Sequence, residues 1–116
     1  TALVALHSFT PSMRGVARPW QAGILHNHDS RLAQIMPDLL RAEGLTVGDN
    51  EPYALTDTSD YTVPLHAEKR GLPYLEIEIR QDLIATPAGQ AEWAQRLGRL
   101  LPAAWQQFCH VYGEQP

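Results

Sequence analysis

The chain opens on an unbroken apolar run, Ala2-Leu3-Val4-Ala5-Leu6. A run this short predicts a strand rather than a helix, and its lack of alternation predicts burial on both faces. Residues 13–21 read as a loop punctuated by Gly15 and Pro19, and Ala22 to His26 reads as a second short strand. Leu32, Ile35, Met36, Leu39 and Leu40 recur at helical spacing, so a helix should start near Arg31, capped by Asp29 or Ser30, and end at Gly44. Pro37 predicts a kink within it. Val47 to Asp60 is polar and rich in turn formers. A short helix is expected over Val63–Arg70, closed by Gly71. Leu72 to Arg80 then alternates strictly, with Ile77 and Ile79 on one face and Glu76, Glu78 and Arg80 on the other. Thr86-Pro87 is a helix-start signature. The stripe Ala94, Leu97, Leu101, Ala104, Trp105, Phe108 and Tyr112 carries that helix towards the C-terminus, with Pro102 expected to bend or split it. Strands separated by helices predict an α/β fold, a mixed central sheet flanked by helices.

Composition narrows the function classes. The chain has 116 residues, 44% of them hydrophobic, which fits one globular domain and not a disordered segment. A single cysteine, Cys109, forms no internal disulfide and reads as a small buried hydrophobe. No apolar stretch approaches the roughly 20 residues that span a bilayer, so no membrane partner is expected. Nine Lys+Arg against 13 Asp+Glu, a formal charge of −4, argue against a nucleic-acid surface. Lys69 is the only lysine; the remaining cations are arginines, whose fork suits carboxylates. Because the chain runs at once into a core-like strand, residues 1–116 are expected to be the C-terminal part of a single, larger domain.

Two places break the ordinary pattern. A strand flanked by helices should be central, and there the charged face Glu76, Glu78, Arg80 is costly unless paired or functional. A carboxylate on a rigid strand can serve as a general base beside a metal ion. His7 follows the first apolar run, at the strand end where α/β sheets place ligands, and imidazole suits zinc. His26-Asn27-His28 reads as a surface turn, and His110 as a helix C-terminal cation. His66, in the short helix, is a candidate for orienting a substrate. Arg14 and Arg18 are candidates for gripping a carboxylate. Ser8 lacks the glycine-flanked elbow of a serine hydrolase, and no phosphate-cradling glycine motif is present.

The ordered segments His7-Ser8-Phe9-Thr10-Pro11, Arg18-Pro19-Trp20, Val47-Gly48-Asp49-Asn50-Glu51-Pro52-Tyr53, His66-Ala67 and Gly71 to Ile84 together resemble the N-formylglutamate amidohydrolase family. The resemblance implies a zinc-exopeptidase-like α/β fold, incomplete in this chain. It implies Zn²⁺-dependent hydrolysis of the amide of a small N-acyl acidic amino acid, N-formylglutamate giving formate and glutamate, late in histidine degradation and in the cytoplasm. Within it His7-Ser8-Phe9 is similar to the segment that closes the zinc site. Glu78-Ile79-Arg80 is similar to the Glu-x-Arg stretch that carries the catalytic Glu, with Glu76 competing on the same face. Asn50, Glu51 and Tyr53 are implied as pocket wall, and Arg14, Arg18 and Arg80 as partners of substrate carboxylates or of the developing oxyanion. The remaining zinc ligands, a His and an acidic residue, are implied upstream of the first strand. A related zinc hydrolase on another N-acyl amino acid or peptide, and a metal-free binding module, remain the alternatives. The sequence leaves the oligomeric state open.

Overall fold

The structure, a computed structural model, describes residues 1–54 and 62–113. Its core is a four-stranded sheet made of β1 (Leu3–Phe9), β4 (Ala22–Leu25), β5 (Val47–Asp49) and β6 (Tyr74–Arg80), in the order β1-β6-β4-β5. β1 runs parallel to β6, β6 antiparallel to β4, and β4 parallel to β5. A separate hairpin joins β2 (Ser12–Met13) to β3 (Val16–Ala17). The expected mixed α/β architecture is therefore present.

The sheet has two chemically different sides. On one, Ala22, Ile24, Val47, Leu75, Ile77 and Ile79 meet the apolar stripes of α1 (Arg31–Arg41) and α3 (Pro87–Tyr112). Leu32, Met36 and Leu40 of α1 and Trp93, Leu97, Ala104 and Phe108 of α3 are buried there. On the other side, a smaller apolar cluster of Ala5, Leu25 and Tyr74 packs against Val63 and Ala67, at α2 (Thr62–His66) and the turn after it. Apart from buried Phe9, the remainder of that second side is mainly polar and carries the candidate chemistry.

Several expectations change. β1 is not buried on both faces: it is the sheet's outer strand among the described residues, and Val4 and Leu6 are 43% and 59% exposed. The apolar run reported strand propensity correctly but not the neighbour it implied. The 13–21 loop contains the β2–β3 hairpin, whose turn residues Arg14 and Gly15 both have positive φ, 53° and 79°. That pairing matches the right-handed strand twist, and Gly15 makes the turn rather than breaking a strand. Val47–Asp49 is a strand, not a turn; residues 55–60 of the expected turn-rich segment lie outside the described residues. Residues 63–70 divide into α2 and a 3₁₀ turn, Glu68–Arg70, which Gly71 closes in the left-handed conformation at φ 66°. Both long helices continue through Pro37 and Pro102. Proline's fixed φ is compatible with a helix, and packing of Met36, Leu40, Ala104 and Phe108 offsets the one lost hydrogen bond in each. At the start of α1, Ser30 makes no side-chain cap, and Asp29 Oδ1 accepts from the Arg31 N–H instead, at 3.1 Å. Thr86 caps α3 as expected, its Oγ1 accepting from Gly89 N at 3.1 Å.

Candidate active site

The parallel register of β1 on β6 sets His7 opposite Glu78 and Ala5 opposite Glu76. Residues opposite one another on paired strands project to the same side. His7, Glu76 and Glu78 therefore share the polar side of the sheet, and one donor atom from each lies within 4.8 Å of the others. His7 Nδ1 stands 3.7 Å from Glu78 Oε1. Both glutamates are 1% exposed, nearly as deeply buried as Ile77 between them, whereas the His7 ring is half exposed. One oxygen of each carboxylate, Glu76 Oε1 and Glu78 Oε2, receives no hydrogen bond from the described residues, although both side chains have other interactions. Placing two carboxylates side by side in a low-dielectric wall costs several kcal/mol per ion unless protons, cations or hydrogen bonds compensate.

The fourth member of the cluster comes from the segment after β5. Tyr53 donates its hydroxyl hydrogen to Glu78 Oε1 at 3.2 Å. Burial pushes the Tyr53 phenol above its ordinary pKa of 10.0; the charge of Glu78 and the bond to it push the same way, followed by the charge of Glu76. Arg18 is near enough to oppose that shift. Tyr53 thus remains a donor at neutral pH.

The other candidate residues have definable positions. Arg18 donates from Nη1 to Thr10 O and Oγ1, at 3.3 and 3.2 Å, and its guanidinium carbon stands 5.8 Å from the centre of the Phe9 ring. Arg14 is exposed at the hairpin tip. Arg80 is held by a two-pronged ion pair to Asp82, at 2.7 and 3.1 Å, and donates to Trp20 O at 3.4 Å, so it is a fastened rather than a waiting cation. That pairing holds the Asp82 carboxyl below its ordinary range. Asn50 Oδ1 accepts from His26 N at 2.7 Å, and Asn50 N donates to Ile24 O, which ties the chain to the end of β4. Glu51 lies over the sheet beside Gly23 and Gly48. His66 is the exposed last residue of α2. The structure therefore brings together His7, Glu76, Glu78 and Tyr53, with Arg18 nearby, and does not place Arg14 among them.

The 26–29 turn differs from the expected solvent-facing turn. The His26 ring is mostly buried and pairs through Nε2 with Asp49 Oδ1 at 3.1 Å. Glu68 gathers the turn, accepting from Asn27 Nδ2, His28 N and Asp29 N at 2.9, 2.8 and 3.3 Å. A cavity of about 360 Å³ beside β1 is lined by Leu6, Ser8, Ile79, Trp93 and Leu97 and reaches His7 at the strand edge. Most of its walls belong to the helix-facing side, so it is not the carboxylate pocket.

An imidazole beside two carboxylates fits a divalent transition metal such as zinc, which takes nitrogen and oxygen ligands together. His7 and either glutamate could hold such an ion. The remaining carboxylate could then take and return a proton, and the Tyr53 hydroxyl could support it.

Among solved structures, the chain is similar to the crystal structure of gene product Atu2144 from Agrobacterium tumefaciens, at 42% sequence identity and a TM-score of 0.82. The match covers 91% of this chain and 43% of that one, so the chain spans less than half of its length. No curated protein sequence matches. The family model described as N-formylglutamate amidohydrolase matches residues 1–85, a stretch that includes every member of the cluster; by that match the chain belongs to the N-formylglutamate amidohydrolase family.

Proposed function

We propose that this chain carries the base-bearing part of the active site of a zinc-dependent amidohydrolase acting on a small N-acyl acidic amino acid, with N-formylglutamate as the substrate. The observation that supports the reading is the convergence of His7, Glu76 and Glu78 on one side of the sheet, with both carboxylates fully buried. A bound zinc ion would supply Lewis acidity at the amide carbonyl and a lowered pKa for water.

His7 contributes an imidazole ligand from the half-exposed strand β1. Glu78 is the general base. It takes the proton of the attacking water, then returns that proton to the amide nitrogen as the C–N bond breaks. Its seat on β6 supplies the positional accuracy such a transfer needs. Glu76 adds negative charge beside it and is the second candidate ligand. Arg18, with its exposed surroundings and its closeness to Tyr53, is the best placed arginine to receive a substrate carboxylate. Arg80 holds the end of β6 rather than the substrate.

Elemental analysis of the purified protein tests the ligand assignment. Zinc should be present in the wild type and depleted in His7→Ala; equal zinc in both overturns it. A panel of N-formyl, N-acetyl and longer N-acyl amino acids tests the substrate. Preferential release of formate from N-formylglutamate supports the reading, and equal or better turnover of a neutral N-acyl amino acid overturns it.

A further inference from the structure

One row of residues crosses the whole sheet: His7 on β1, Glu78 on β6, Gly23 on β4 and Gly48 on β5, each in register with the next. Two positions of that row carry potential ligand or base, and the two beside them carry no side chain. Neither glycine has the positive φ that would require glycine for backbone reasons, unlike Gly15 or Gly71. What requires glycine is close approach. A Cβ on Gly23 would collide with the carbonyl of Glu51, which lies on the sheet at that point. A Cβ on Gly48 would come within 2.9 Å of the Trp20 ring and clash with the Glu51 side chain. The bare backbone of the row is thus covered by the segment that ends in Tyr53, and Tyr53 reaches back to Glu78.

We propose that Gly23 and Gly48 are positioning residues for Glu78: they form a floor on which the Glu51–Tyr53 segment lies, and this seating holds the Tyr53 hydroxyl against Oε1 of the carboxylate. The function of the floor rests on the amidohydrolase reading, whereas its geometry does not. Without the floor, the segment would ride higher by about the thickness of a methyl group, and a 3.2 Å hydrogen bond does not survive such a lift. The carboxylate would keep its strand but lose the donor that fixes the plane of its oxygens. Turnover should then suffer more than substrate affinity, because neither glycine nor the Tyr53–Glu78 bond belongs to the part that grips the substrate carboxylate.

The test combines a structural and a kinetic readout. In protein with ring-labelled tyrosine, the Tyr53 signal is assigned by its loss in Tyr53→Phe and followed at one fixed neutral pH. It should move in Gly48→Ala and in Glu78→Gln and stay in place in Gly98→Ala, a control whose added methyl meets nothing within 4 Å. An unmoved Tyr53 signal in Gly48→Ala overturns the floor, whether or not the protein is an enzyme. Kinetically, Tyr53→Phe should lower kcat roughly ten- to a hundredfold, as loss of a hydrogen bond to a charged group does, with KM within about twofold. Gly48→Ala should lower kcat in the same way, and Gly48→Ala combined with Tyr53→Phe should be no worse than the poorer single variant, since both act through one contact. Fully additive losses, or a change carried by KM alone, overturn the positioning role. Far-ultraviolet circular dichroism of each variant confirms that the sheet is retained, and Glu51→Gly, which removes the Cβ seated over Gly48, serves as the second variant if Gly48→Ala does not fold: it too should move the Tyr53 signal, and an unmoved signal overturns the floor.

Discussion

The two sides of β6 are equally dry and chemically opposite. Leu75, Ile77 and Ile79 face the helices at 1%, 0% and 3% exposure, while Glu76 and Glu78 face the other way at 1% each. Burial alone therefore says nothing about what a position is for. On the helix side, removing water from apolar surface stabilises the fold, at about 25 cal/mol per Å². On the carboxylate side, removing water is unfavourable, and the same strand tolerates it because the helix-side cluster is large and contiguous. One side supplies the stability that the other spends on placing two acids next to an imidazole.

Substitutions on the two sides should separate these roles. Glu78→Gln should lower amidohydrolase turnover by about 10²–10⁴-fold, the usual worth of a general base, while leaving the urea midpoint equal or raised because a buried charge is gone. Near-normal turnover in that variant would break the contrast at its centre. Ile77→Ala, one residue away, should do the reverse: a loss of about 2–5 kcal/mol in unfolding free energy from the cavity it leaves, with the metal content per folded molecule unchanged. Glu76→Gln should retain turnover at least about tenfold above Glu78→Gln. The opposite ranking would transfer the base role to Glu76.

The smallest effect lies at the rim of the helix side. The Arg31 guanidinium bonded to Asp29 holds that carboxyl below its ordinary 3.8, against the opposing effect of partial burial. A lowered carboxylate pKa stabilises the folded state above 3.8, and that stability disappears as pH falls through the lowered folded value. Asp29→Asn should therefore cost less than about 1 kcal/mol at neutral pH, the pair being partly exposed. The difference from wild type should shrink below pH 3.8 and vanish once Asp29 is protonated. Thermal unfolding across pH 2–7 measures it, and a difference that persists at pH 2 would assign the effect to packing instead.

Much of this contrast was legible in the sequence. Strict alternation over Tyr74–Arg80 fixes which residues share a side, and a charged side on a strand between helices is improbable enough to mark Glu76 and Glu78. The apolar run followed by His7 marked the second strand of the site. What was not legible depends on partners distant in sequence. Val47-Gly48-Asp49 has the composition of a turn, and only pairing with β4 makes it a strand. The exposed edge of β1 depends on which neighbours exist, and an apolar run cannot report that. Tyr53 lies 25 residues from Glu78, and its reach across the sheet depends on two glycines whose importance is visible only once the register is known. Arg80 shares the alternation of the glutamates but is claimed by Asp82, two residues on. Alternation gives direction and does not give the partner.

Both ends of β6 are anchored. At its start the Tyr74 hydroxyl, whose pKa burial pushes up to about 12, accepts from Asn27 N at 2.7 Å and donates to Glu68 Oε2 at 3.2 Å. At its end Arg80 is fastened to Asp82 and to the Trp20 carbonyl. The strand behaves like a beam supported at both ends, with the two carboxylates near mid-span. The tip of the β2–β3 hairpin can then vary in length and composition without loosening either support, whereas Trp20 and the Glu51–Tyr53 segment cannot, because one holds Arg80 and the other reaches Glu78. Such a mounting lets the hairpin tip change while Glu76 and Glu78 stay in register with Ala5 and His7 across the sheet.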